Sequence, residues 1–465
     1  MDTMDQKENS NNKKKYLSQL IKDTSRPIGL TDSHKVWMAL LGAILAVCLF
    51  AYTLQLRRGL IVTGLRDYIS WGMYISNFVF FVACSLVGMF ISAVLGLAGA
   101  KWVTPITRLA EIIAVAFAMV AGLVIISDMG VPQRFLYLFA YGRLHSPILW
   151  DVTVVITYVI ISLCLFFIPM IPDMAIFSHA KTFKPPFLNK IYTVLALKWK
   201  GTPKQVILLK KATRTLLILI IPVALAIHTV TSWLFAATPR TGWDSTIFGP
   251  YFVTGAFVAG TAALVIAMYF FRKNYKLQNH ITEDHFNKIG KIMVLISLVY
   301  LYFNINEFLV PAYKMKLHDA THIHELFVGK HALMFWSVQL GGLIIPLILM
   351  LFKRFRKPLP MLIMSIFILV GSWFKRYLIV IPTQEHPFLP IQNVPENFHF
   401  YMPTLIETAV TVAAIIMVIM IISLLAKFFP LLPVWEMAHE KGIENPEELA
   451  AEIANESSQN NETSN

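Results

Sequence analysis

A chain of 465 residues with 56% hydrophobic and 14% charged positions and a mean hydropathy of +0.62 is too apolar to form water-soluble domains. Its net charge of +13 would raise nucleic acid as a partner, but the basic residues cluster between apolar runs, so a lipid-facing surface accounts for them and no nucleic acid is expected. Cys48, Cys84 and Cys164 lie inside apolar runs without CxxC or CxxCH, which excludes iron–sulfur ligation and covalent haem; no metal site and no phosphate-binding loop are read in this chain.

In chain order the sequence predicts a polar tail without a cleavable signal peptide, then ten apolar blocks, each long enough to cross about 30 Å of hydrocarbon. The first five cover 36–56, 68–97, 107–129, 147–177 and 213–237; the second five cover 247–271, 288–312, 331–352, 358–381 and 402–427. The predicted fold class is therefore an all-α integral membrane protein with both termini on one side. Gly72-Met73-Tyr74 at the head of span two resembles Gly249-Pro250-Tyr251 at the head of span six, and the run from Gly142 to Trp150 echoes that from Gly329 to Trp336. Each pair is four spans apart, which implies two related four-helix bundles, spans two to five and six to nine, flanked by spans one and ten. The organisation expected is a tail (1–35), first span and connection (36–66), first bundle (67–237), second bundle (238–382), outer loop and last span (383–427), and a partly disordered tail rich in Glu, Asn and Ser (428–465).

Lys and Arg set the orientation. The loop after span four is the most basic, with Lys181, Lys184, Lys190, Lys198, Lys200, Lys204, Lys210 and Lys211, and the N-terminal tail and the loops after spans six and eight fall on the same side. Roughly 29 of the 40 basic residues lie there and roughly 11 opposite, so both termini are expected in the cytoplasm and the chain in a bacterial inner membrane.

Ionisable groups inside spans are costly unless paired or hydrated, so they are the candidates for chemistry. Asn77, Glu111, Asp128, His145 and Asp151 are placed on the outer half of the first bundle, with Arg134 and Arg143 in the loop beside Asp128. Arg134 paired to Asp128 would fix the loop, and Asp151 in the first turns of a helix suits the dipole, so both also have structural readings. His145 at an apolar boundary would bond a carbonyl and change protonation near neutral pH, as quinol oxidation requires. Asp173, beside Pro169 and Pro172, stands alone as an inner waypoint for protons, and Glu307 and Glu407 are unexplained. Haem held by His145, His228 or His331 would need ligands at two depths, and the inner halves supply none.

The run Gly64-Leu65-Arg66-Asp67-Tyr68-Ile69-Ser70-Trp71-Gly72-Met73-Tyr74-Ile75-Ser76-Asn77-Phe78 resembles the signature stretch of the NrfD/PsrC family, membrane subunits of polysulfide reductase-like complexes. Ser127 to Gly130 with Pro132 and Arg134, His145 to Asp151, and Ile227 to Val230 followed by Gly242 to Tyr251 agree in order. Ten spans and the loop Trp199 to Gln205 look most like the ActC and ActF subunits of alternative complex III. The resemblance implies a quinone site at the outer end of the first bundle, taking menaquinone or ubiquinone, with no haem or iron–sulfur cluster in this chain. It implies an extracytoplasmic iron–sulfur partner, a multihaem cytochrome c and other membrane subunits, so the chain is half of an oxidoreductase and inactive alone. Carried over by position, His145, Asp128 and Asp151 would be catalytic, with Tyr74, Asn77 and Arg134 beside the quinone. Asp173, Glu111, His228 and Asp244 would form a proton route. Quinol oxidation with electrons passing to the partner is the expected function, possible proton translocation included. A quinone-reducing subunit of a hydrogenase, polysulfide or other reductase, and a secondary transporter, are the alternatives.

Overall fold

The computed structural model describes residues 2–180, 186–387 and 393–462; Lys181 and Lys184 of the basic loop lie outside the described residues. Among the described residues the chain is helical with no strand, and ten helices are long and apolar enough to span a bilayer. They are α1 (Asp32–Arg58), α2 (Met73–Leu95), α3 (Lys101–Ser127), α4 (Pro147–His179), α5 (Pro203–Ala236), α6 (Phe248–Asn274), α7 (Glu283–Lys314), α8 (Ala332–Leu351), α9 (Pro358–Glu385) and α10 (Leu405–Phe428). The ten predicted apolar blocks each coincide with one of them.

Helix α2 packs on α3, α3 on α4, α4 on α5, and α5 returns to α2; α6 packs on α7 and α9, and α8 on α7 and α9. The two groups meet where α6 lies on α2 and α5, and α9 on α2. Helix α10 covers α3 and carries the peripheral α1, whose apolar surface is largely exposed. Lipid gives apolar helices little reason to associate, so close approach rests on small residues. A Cβ on Gly88 of α2 would stand 2.5 Å from the Ala114 Cβ of α3, and one on Gly371 of α9 would stand 2.5 Å from the Gly342 Cα of α8. These contacts draw the helices together at the levels where the polar groups lie.

Three boundaries differ from expectation, each for a local reason. Helix α2 starts at Met73 rather than 68, because residues 64–72 are held in non-helical form: Gly64 N–H donates to Glu407 at 2.8 Å and Trp71 N–H to Gln384 at 3.0 Å. A Cβ on Gly72 would meet the Tyr401 hydroxyl at 2.6 Å, so only glycine fits at this bend. Helix α5 starts ten residues before 213, since Thr202 and Gln205 form a reciprocal cap that carries Lys204, Lys210 and Lys211 on helix rather than loop. The tail expected to be disordered is helical over Pro446–Glu462. Its Glu447 accepts from the Trp199 indole at 2.6 Å, and Lys14 of the N-terminal helix Asp2–Ser25 pairs with Glu452 at 3.1 Å. Both termini therefore pack together against one face of the helices.

Candidate functional site

At the face opposite the termini, Pro147 opens α4 and places Asp151 one turn inside it, where the carboxylate is 3% exposed. The Thr231 hydroxyl of α5 donates to it at 2.5 Å. His228 precedes Thr231 by three residues and so shares its helix face. The ring is 2% exposed, and its Nε2 has no hydrogen-bond partner among the described residues. Arg376 of α9, also 2% exposed, reaches towards the same junction, lying over the Phe252 ring beside Gly255 with its Nε unpartnered among the described residues. A buried donor or acceptor without a partner is costly, so the imidazole and guanidinium are suited to a polar group supplied from outside the chain.

The outer cluster expected from the sequence does not assemble as one unit. His145, Arg134 and Arg143 are exposed on the loop between α3 and α4. No ion pair joins Arg134 to Asp128; the Asp128 Oδ1 is shut from solvent with no partner among the described residues. Tyr74 instead donates to Gln55 of α1 at 2.6 Å, and Gln55 to the Ser127 carbonyl at 2.8 Å, tying α1 and α2 to the end of α3. Asn77 is saturated by Thr411 and the Trp373 indole, each at 2.7 Å. Asp244 is exposed. The loop fails to close over Asp128 because its short helix Tyr137–Tyr141 stands outward, exposing Leu136, Tyr137, Tyr141 and Leu144.

Glu111 belongs to the other end of α3. It accepts from Ser92 at 3.1 Å and borders a cavity of about 250 Å³ with Lys101, Thr104, Glu436 and Glu440, on the face that carries the termini. Its placement on the outer half is thereby corrected: α3 runs from that face towards Asp128, and Glu111 sits nearer its start. Asp173 does not stand alone. Arg108 donates to it at 2.9 Å, both side chains 1% exposed, and the Trp435 N–H donates to it at 2.7 Å. Burial pushes the nearby Glu436 carboxyl up from its usual range against the pull of Arg108.

Several buried cations escape a reading focused on acids and histidines. Arg108, Lys375 and Arg376 are visible as charges inside apolar runs, and their partners lie far off in sequence. Lys375 pairs with Glu307 of α7 at 3.1 Å, which answers that carboxylate. Glu407 is answered by Tyr401 at 2.5 Å and by the N-terminal cap of α10. In the second group Tyr251 donates to Asn304 at 3.2 Å and Asn304 to Gln339 at 2.6 Å, while Glu385 holds His331 and Lys330, each at 2.9 Å. His331 is thus occupied by a carboxylate. Among the described residues no group of three or more His, Cys, Asp or Glu side chains is placed to hold a metal ion.

Residues 61–387 match the family model described as polysulphide reductase, NrfD. Among curated proteins the chain is 25% identical over 419 residues to the C-type subunit of selenate reductase from Mesobacillus selenatarsenatis, covering 87% of this chain and 96% of that one. It is 24% identical over 419 residues, 87% and 95% of the two chains, to an Hdr-like menaquinol oxidoreductase integral membrane subunit of Archaeoglobus fulgidus. It is 28% identical over 235 residues, half of each chain, to a putative dimethyl sulfoxide reductase membrane subunit of Halobacterium salinarum.

Proposed function

Since this chain belongs to the NrfD family of polysulphide reductase membrane subunits, we propose that it is the membrane subunit of an oxidoreductase complex that oxidises a quinol at the outer ends of α4 and α5. The relatives named as selenate and dimethyl sulfoxide reductase subunits serve enzymes that consume electrons, and the Archaeoglobus relative is named for menaquinol. That favours quinol oxidation over quinone reduction as the direction here. The apolar exposed loop with Leu136, Tyr137, Tyr141 and Leu144 supports a partner on this face, an iron–sulfur protein by the chemistry required.

The observation that carries the reading is the buried pair of Asp151, bonded to Thr231, and His228 one turn away with a free ring nitrogen. A quinol headgroup is neutral and presents two hydroxyls, and it loses two electrons and two protons on becoming quinone. An imidazole acceptor and a carboxylate side by side fit that demand: His228 Nε2 takes one hydroxyl proton, and Asp151, oriented by Thr231, takes the second. Electrons leave for the partner, since this chain has no redox centre of its own among the described residues. Tyr74 and Asp128 would border the site from α2 and α3, and the exposed His145 and Arg134 would lie at its rim and release protons to water. At the other face the cavity at Glu111 would admit protons, while Asp173, locked by Arg108, holds the helices in place.

In the assembled complex, Asp151→Asn and His228→Gln are each expected to lower quinol-dependent turnover about a hundredfold with the amount of complex unchanged, the span of one general base. Normal turnover in both variants would place the proton acceptor elsewhere and overturn the reading.

A further inference from the structure

A groove of about 1100 Å³ opens between α1 and α10 on one side and α6 and α9 on the other, and its chemistry is graded along its length. Its floor is apolar and aromatic, with Phe80, Phe81, Phe117 and Phe270. It runs from Lys427 to Thr411 along α10, about 24 Å at 1.5 Å per residue, further than the roughly 15 Å of one hydrocarbon leaflet.

The two ends differ in what they leave unsatisfied. At the outer end Trp373 and Thr411 bond Asn77 and so answer one another. At the end near the termini, Thr31, Ser33 and His34 from the head of α1 converge on Lys427. The loop before α1 is pinned there by the Gly29 N–H, which donates to the Lys427 carbonyl at 3.0 Å. His34 is 9% exposed, and its Nε2 has no partner among the described residues. Lys427 is 5% exposed, lies over the Tyr275 ring at 5.1 Å and has no ion-pair partner among the described residues. Thr31 caps α1 without using its side chain, so its hydroxyl and the first amides of the helix are also free. The neighbouring Asp32 is turned to solvent and tied to Lys35 at 2.9 Å, so it does not answer Lys427.

From these observations we propose that the groove is the binding site of one anionic phospholipid. Its phosphate sits on Lys427, His34 and the hydroxyls of Thr31 and Ser33, and an acyl chain lies along the aromatic floor. A buried ammonium without a counter-charge calls for an anion, which a neutral quinone headgroup does not supply. The apolar run that continues from the cationic end calls for an anion with a chain attached, which free phosphate lacks. The excess of basic residues on this face places the site in the cytoplasmic leaflet, where negatively charged lipid headgroups attract cations.

The test uses the purified complex in mild detergent. Lipid extraction and mass spectrometry should find close to one anionic phospholipid per chain retained through washing in the wild type, and Lys427→Gln with His34→Gln should lower that retention at least about fivefold, the effect of one lost surface cation. Equal retention in both, or a neutral lipid or quinone in place of the anionic one, overturns the proposal. Should the double variant fail to assemble, the wild-type complex is titrated with phosphatidylglycerol, phosphatidylcholine or inorganic phosphate while its thermal stability is followed. Saturable stabilisation by phosphatidylglycerol alone supports the site; the same gain from phosphatidylcholine or from inorganic phosphate overturns it. Neither side chain belongs to the Asp151–His228 site, so quinol turnover of the washed variant should match that of the washed wild type.

Discussion

Asp173→Asn separates two roles for a fully buried carboxylate, a carrier of protons and a structural counter-ion. Arg108 and Asp173 meet at 2.9 Å; Arg108 also donates to the Phe166 carbonyl at 3.0 Å, and Asp173 accepts the Trp435 N–H at 2.7 Å. Two unit charges this close attract by about 4 kcal/mol at the effective dielectric that suits protein ion pairs. Removing one of them leaves the other buried without compensation, a loss of about 3–5 kcal/mol. Asn keeps an oxygen for Trp435, so the loss from Asp173→Asn is almost all electrostatic. Combining it with Arg108→Leu removes both charges and should recover most of the stability, leaving a deficit of about 1 kcal/mol for the bond to Phe166. The assay is the fraction of detergent-solubilised complex that survives a fixed heat step, compared across the single variants and the double. If the double variant is no more stable than Asp173→Asn, the ion pair is not what Asp173 supplies. If Asp173→Asn assembles at full stability and loses only proton uptake, Asp173 is a carrier and the structural account is wrong.

His145→Ala should leave quinol turnover of the complex within about twofold, because the ring is exposed and works through water; a loss approaching the hundredfold expected of a general base would return His145 to the centre of the site. Glu111→Gln, in the cavity at the other face, is expected to preserve quinol turnover and to reduce proton uptake from that side in reconstituted vesicles, measured with an entrapped pH dye; unchanged uptake would remove the cavity from the proton route. Stability should also depend on pH through His322, which burial holds down to about 4, below the usual 6.5. Between these values the unfolded chain binds the extra proton, so the stabilisation is complete above pH 6.5 and is lost as pH falls towards 4, about 3 kcal/mol in all. His322→Gln should flatten that slope in a heat-survival series from about pH 7 to 4, and an unaltered slope would assign it to other groups.

The ten helices are legible in the sequence because bilayer thickness leaves few options: an apolar run of this length has to satisfy its backbone internally. The candidate site is legible at Asp151 and His228 as residue types, but not as a pair. His145 is six residues from Asp151 in sequence and is exposed, whereas His228 is far off in sequence and shares a helix face with Thr231, the hydrogen-bond partner of Asp151. Sequence distance ranks the wrong histidine, and only helix packing brings α5 onto α4. Glu111 is misplaced for a simpler reason: with direction assigned span by span, its position near the start of α3 sets it at the termini face. Arg108, Lys375 and Arg376 carry a signal that a search for acids and histidines passes over, since a cation in an apolar run is as costly as an anion.

The two polar ends of the first group of helices bear on how protons and electrons are related. Glu111 and Asp128 are separated by 17 residues of α3, about 25 Å along the axis. Between them α3 turns Ala114, Ala118 and Ala121 inward, and α4 contributes Ser162 and Tyr158, whose hydroxyl donates to the Ser85 carbonyl at 2.7 Å. Quinol protons released beside Asp151 reach the same face from which electrons depart to the partner, so the quinol reaction alone moves no charge across the bilayer. Charge translocation would need protons to climb from the Glu111 cavity past Tyr158 and Ser162, both of which lie on the helix that carries Asp151. The same helix would then transmit the protonation of Asp151 to that passage, and blocking it should alter the proton count per electron without altering the rate of quinol oxidation.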